Sequence, residues 1–93
     1  MDALWTVDTL SNVDAALGEL PDTIREEILD VLEQLTEDPF PPGSLELRGH
    51  PNVYRIRLDG YRMVYEVNPR RKRVLVTRLL PRGVVYRGLE PLA

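Results

Sequence analysis

No cysteine occurs anywhere in the chain, which excludes disulfides and thiolate chemistry and makes a reducing cytoplasm the expected compartment. Histidine occurs once, as His50. With no second ligand at zinc spacing, no metal site is expected, and the absence of a glycine-rich phosphate loop leaves no nucleotide cofactor to expect either. No apolar run approaches the roughly 18 residues of a membrane span. The N-terminus carries Asp2 and no basic stretch, so a signal peptide is not expected. Basic side chains are nearly missing from the first half: residues 1 to 46 contain Arg25 alone against twelve acids, a charge of −11.

The second half is the reverse. Residues 47 to 93 carry eleven basic residues, ten of them arginine, against Asp59, Glu66 and Glu90, a charge of +8. The net −3 of the 93 residues therefore conceals a basic working surface on an acidic scaffold. Arginine is the cation suited to bidentate phosphate contact and to stacking on bases. An apolar fraction of 43% with 29% charge is that of a globular protein, and the length predicts one small domain, 1–93, with one modest core.

The first β-rich run is Leu4-Trp5-Thr6-Val7-Asp8. Ser11 or Thr9 then caps a helix in which Val13, Ala16, Leu17 and Leu20 recur at helical spacing, weakened by Gly18 and stopped by Pro21. Pro21 also suits the opening of a second helix, with Asp22, Glu26 and Glu27 near its positive end and Ile24, Ile28, Val31, Leu32 and Leu35 as its apolar stripe. The pair is expected to cover one face of a sheet. Asp38-Pro39-Phe40-Pro41-Pro42-Gly43 admits neither helix nor central strand and is a crossing loop.

The strongest local signal lies in Val53 to Val67, where two alternating runs flank Asp59-Gly60, the signature of a two-residue hairpin turn. In that register Leu58 faces Tyr61, Arg57 faces Arg62, Ile56 faces Met63, Arg55 faces Val64 and Tyr54 faces Tyr65. One side is then apolar and the other carries Arg55, Arg57 and Arg62. Like charges directly across a ladder destabilise it, so the arginine side calls for an anion, and nucleic-acid phosphate is the anion expected. Asn68-Pro69-Arg70-Arg71-Lys72 is a basic turn, and Val74-Leu75-Val76-Thr77, apolar on both faces, reads as an interior strand.

Leu47-Arg48-Gly49, Tyr54-Arg55-Ile56-Arg57-Leu58, Gly60-Tyr61-Arg62-Met63-Val64-Tyr65 and Arg82 four residues before Tyr86 resemble, in order and spacing, the RelE/ParE superfamily of toxins from bacterial toxin–antitoxin systems. Trp5-Thr6-Val7, Leu20-Pro21 and Asp38-Pro39 extend the likeness over nearly the whole chain. The resemblance implies an α+β fold: an antiparallel sheet of about four strands in the order β-α-α-β-β-β, with the helix pair on one face. For the RelE branch it implies ribosome-dependent cleavage of mRNA in the decoding site, without metal or cofactor. Arg62, Arg82, Tyr86, Arg55 and Arg57 then become the catalytic candidates, and Arg48, Arg55, Arg57, Arg78 and Arg87 the RNA-binding ones. Implied partners are a cognate antitoxin, RelB-like or other, in a hetero-oligomer, together with mRNA and the ribosome.

Two departures keep other classes open. Where many relatives have Gly-His-Arg before the final tyrosine, this chain has Leu80-Pro81-Arg82, and arginine, with a pKa above ~12, is a poor general base. A ParE-type inhibitor of DNA gyrase needs neither acid nor base, and a degenerate toxin that only binds its antitoxin needs no catalysis at all. Histidine is the residue type suited to proton transfer, yet the position of His50 in a loop beside Pro51 suits a surface residue. Glu66, at the far end of the arginine side, suits an ion-pair partner better than a base.

Overall fold

A computed structural model of the chain describes residues 4–81. Its elements are β1 (Thr6–Thr9), α1 (Ser11–Gly18), α2 (Asp22–Glu37), β2 (Leu45–Glu46), β3 (Val53–Leu58), β4 (Tyr61–Asn68) and β5 (Arg73–Pro81). They form one sheet in the order β1-β5-β4-β3-β2. The fold is α+β as expected, with the two-residue β2 as a fifth, edge strand, and with β1 paired parallel to β5 rather than antiparallel. The first strand begins two residues later than the Leu4–Asp8 run suggests. The chain is still tethered to the helix pair there, the Trp5 N–H donating to the Thr36 carbonyl (2.8 Å).

The hairpin register is the one read from the alternation, every pair from Tyr54↔Tyr65 to Leu58↔Tyr61 included. Gly60 supplies the positive φ of 76° that a tight hairpin turn requires. Ile56, Met63 and Tyr65 enter the core with Val67, Val74, Val76 and Leu79 of β4 and β5, against Val13 and Leu20 and the Ile28, Val31 and Leu35 stripe of α2. The acids of α2 remain on its exposed side.

Neither expected side-chain cap of α1 forms. The N-cap is Leu10, extended and without a capping side chain, because Ser11 is already inside the helix and Thr9 belongs to β1. The Thr9 hydroxyl donates instead to the Asp14 carboxylate. The other end of α1 is closed by Arg25. Its Nε donates to the Leu17 carbonyl (2.9 Å) and one terminal nitrogen to those of Leu20 (2.7 Å) and Gly18, while the other meets Asp22 at 2.9 Å. Leu17 and Gly18 are last-turn carbonyls of α1, Leu17 also accepting from the Leu20 N–H (3.2 Å), and Leu20 lies in the joint before α2. The single cation of the acidic half is therefore spent on the joint between two helices.

The crossing loop is fastened to the sheet by aromatic side chains. The buried Tyr65 hydroxyl donates to the Pro39 carbonyl (2.8 Å), Tyr65 stacks on Tyr54 with centroids 5.8 Å apart, and Phe40 packs on Tyr54 at 5.0 Å. Burial pushes the Tyr65 phenol up to about 12, Tyr54 and Asp38 adding to the shift and a Ser44 hydrogen bond opposing it. Burial likewise raises the Tyr54 phenol, with the Glu46 carboxylate adding.

Candidate functional site

On the sheet face away from the helices, the ladder arranges the arginines in two adjacent rows. One row runs Arg57, Arg62, Leu80 across β3, β4 and β5; the next runs Arg55, Val64, Arg78. Neighbouring strands lie about 4.8 Å apart and successive residues on one face about 6.7 Å apart along a strand. Four arginines thus leave the backbone within a patch roughly 10 by 7 Å. The third row, Val53, Glu66 and Leu75, is without arginine and brings in the carboxylate of Glu66.

Arg78 reaches this face only through an irregularity. Val74 and Val76 point into the core, so strict alternation would send Arg78 there as well. Between β4 and β5 the register shifts: Tyr65 pairs with Val76 but Val64 pairs with Arg78, leaving Thr77 as an extra residue. Such a bulge re-aims every side chain beyond it. Arg78 turns to the arginine face and Leu79 enters the core opposite Met63. The bulge is held on both sides, the Thr77 hydroxyl donating to the Val64 carbonyl (3.3 Å) and the Asn12 amide to the Thr77 carbonyl (3.1 Å).

The four are not equally accessible. Arg57 is exposed, Arg62 and Arg78 are half-buried, and Arg55 is buried at 8% exposure. The three arginines read from the alternation do share this face, but Arg55 is buried on it. It sits on an interior strand, flanked by Leu45 of β2 and Val64 of β4, beside a second apolar cluster of Leu47 and Val64 packed by Val53 and Leu80. The face is a charged rim around a small apolar floor.

Among the other candidates, Arg48 is exposed in the turn after β2. His50 is half-buried in that turn and its backbone ties the loop, accepting from the Val53 N–H and donating to the Leu47 carbonyl, both at 3.1 Å. Glu66 is exposed and lies opposite Val53 in the ladder, and among the described residues no cation stands within 4 Å of its carboxylate, so the ion pair expected of it does not form there. Arg82, Tyr86 and Arg87 lie outside the described residues. A depression of about 260 Å³ at the hairpin tip is lined by Arg57, Asp59, Tyr61 and Arg62. A larger one, about 860 Å³, lies at the opposite end of the sheet, between Asp8, Asn52, Glu66, Arg70 and Arg73. Among the described residues no group of acids and histidine is placed to hold a metal ion, and no helix is long and apolar enough to cross a membrane.

Compared with known proteins, residues 4–86 match the family model described as ParE toxin of type II toxin-antitoxin system, parDE. No curated protein matches the chain. Among solved structures, the archaeal RelE–RelB complex from Pyrococcus horikoshii OT3 superposes with a TM-score of 0.76 at 30% identity, covering 88% of this chain and 99% of that one. The isolated E. coli RelE toxin superposes with a TM-score of 0.75 at 28% identity, covering 87% of each chain. The intact E. coli RelBE toxin–antitoxin complex gives 0.74 at 28% identity over 86% of this chain and 99% of that one.

Proposed function

Since this chain belongs to the ParE toxin family of type II toxin–antitoxin systems, in the RelE/ParE superfamily, we propose that it acts as a metal-independent endoribonuclease on ribosome-bound mRNA. The observation that carries this reading is the two-row arginine patch, in which Arg57 and Arg62 lie directly opposite each other and Arg55 and Arg78 flank them one row away. A phosphate entering such a group meets several guanidinium groups at once, the cations suited to bidentate phosphate contact. In the reaction the ribose 2′-hydroxyl attacks the adjacent phosphate, and the charge gathering on the phosphate oxygens is what the patch is placed to meet. A fixed cation at that point stabilises the transition state more than the ground state. Arg62 is assigned that task, with Arg55 and Arg57 holding the flanking phosphates and Arg48, Arg78 and Arg87 extending the RNA path. Arg82 and Tyr86 complete the site, Tyr86 by stacking on a base or donating a proton.

The partner expected to restrain the toxin is an antitoxin, as in the RelE–RelB complexes it resembles. An acidic amphipathic segment that neutralises Arg55, Arg57 or Arg82 fits the +8 half of the chain, in a toxin–antitoxin hetero-oligomer.

A second reading is inhibition of DNA gyrase. It is favoured by the ParE description of the matching family model and by the chemistry of a patch made only of arginine, which offers no general base. Primer extension on a translated message after induction separates the two. Breaks within codons support the nuclease, and intact messages with lost supercoiling support the gyrase inhibitor. Intact messages without growth arrest leave a toxin that only binds its antitoxin.

A further inference from the structure

The β4–β5 turn carries four consecutive cations, Arg70, Arg71, Lys72 and Arg73, at the opposite end of the sheet from the hairpin tip. All four are exposed, and none has a carboxylate within 4 Å among the described residues. Along β4 the two turns stand roughly 23 Å apart. The run is no continuation of the arginine patch, because Glu66, Leu75 and Asp8 occupy the ladder positions between them. Asp8 and Glu66 line the same large depression as Arg70 and Arg73 without pairing to either.

The backbone presents this charge at a conformational cost. Lys72 has a φ of 52°, in the left-handed region that glycine or asparagine enters more easily. The turn is nonetheless held: the Asn68 side chain accepts from the Arg71 N–H (3.2 Å), the Lys72 N–H donates to the Pro69 carbonyl (3.4 Å), and the Lys72 carbonyl accepts from Thr6 of β1 (3.0 Å). Glycine at position 72 would remove that cost, and one of the four cations with it. A rigid tip that keeps lysine there, among three arginines, is built to display cations.

We propose that this turn is a second nucleic-acid contact, an anchor that grips a phosphodiester backbone away from the arginine patch. The choice of nucleic acid as partner rests on the function proposed above. The anchor takes no part in bond breaking; it adds affinity and fixes the direction in which the strand crosses the sheet. Its signature is electrostatic, because each phosphate neutralised releases condensed counterions.

The test measures binding by fluorescence anisotropy between roughly 50 and 200 mM salt. The probes are a short labelled single-stranded RNA, a labelled DNA duplex and purified ribosomes. The variants are Arg70→Ala with Arg71→Ala, and Lys72→Gly. On RNA, the slope of log affinity against log salt is expected to fall by about 0.7 per charge removed, and affinity near 0.1 M salt roughly fivefold per charge. Lys72→Gly is expected to melt at a higher temperature than the wild type while losing its share of affinity, which a purely structural turn would not show. Loss on the duplex alone keeps the anchor and assigns it to DNA. Wild-type slopes in both variants on every probe overturn the proposal. Arg62→Ala separates anchor from chemistry: it removes cleavage while the salt dependence contributed by the turn remains, and a wild type that cleaves nothing still answers the anchor question.

Discussion

Replacing Arg57 with glutamate should make the domain more stable and abolish its toxicity, a combination that few substitutions produce. Arg57 is exposed on β3 and its ladder partner is Arg62, a like-charge pair across two strands. Cross-strand charge pairs contribute roughly 0.2 to 1 kcal/mol with the sign of the interaction. Turning repulsion into attraction therefore changes stability by about 1 kcal/mol, which in a domain this small raises Tm by roughly 4 to 8 °C. The gain should shrink near 1 M salt, where the screening length falls to about 3 Å. At the same time the new carboxylate occupies the place where a phosphate is meant to enter. The assays are calorimetry at low and high salt and growth after induction. A variant that is stabilised yet fully toxic would refute the assignment of the site to this face, and one that is not stabilised at low salt would refute the repulsion argument.

Three further outcomes follow from the fold. Tyr65 has its phenol raised from the ordinary 10 to about 12, so the folded state favours the neutral form. Stability from this group is complete below pH 10 and is lost progressively as pH rises from 10 to about 12, on the order of a few kcal/mol. Tyr65→Phe should remove that alkaline loss in chemical denaturation, leaving the contribution of Tyr54, and should cost about 1 to 2 kcal/mol at neutral pH by orphaning the Pro39 carbonyl. Gly60→Ala should cost about 1 to 2 kcal/mol through its φ of 76° alone, since nothing lies within 4 Å of the added methyl group; a denaturant midpoint equal to wild type would contradict this. Arg25→Ala should destabilise by about 1 to 2 kcal/mol by uncapping α1, yet leave the cleavage rate of the folded protein unchanged.

The hairpin was legible because two local rules agree there: strict alternation sets the faces and Asp59-Gly60 sets the register. The helix pair was legible from Pro21 and the spacing of Ile28, Val31 and Leu35. What escaped depends on contacts distant in the chain. The Thr77 bulge changes which face Arg78 occupies, and its hydrogen bonds come from Asn12 and Val64, which no local pattern announces. The change of parity from Val74 and Val76 to Leu79 is the one trace it leaves in the sequence. The burial of Arg55 was hidden for a similar reason. Alternation shows its face, but the flanking strand is a two-residue β2 too short to detect, and the apolar floor joins Leu47 to Val64 across two strands. Arg25 has helical spacing to Asp22, yet its bonds to three carbonyls of the preceding turn appear only once both helices are placed.

In the proposed reaction Arg62 meets charge developing on a phosphate. The most direct test is single-turnover cleavage of a message bound to purified ribosomes, comparing wild type with Arg62→Ala at matched folding. Loss of one such cation from a transition state is worth about 2 to 4 kcal/mol, a rate reduction of roughly 30- to 1000-fold. Cleavage within codons by the wild type, a reduction of that size in the variant, and melting temperatures within a few degrees of each other are expected. Equal rates for the two proteins, or a message left intact by the wild type, would contradict that role of Arg62.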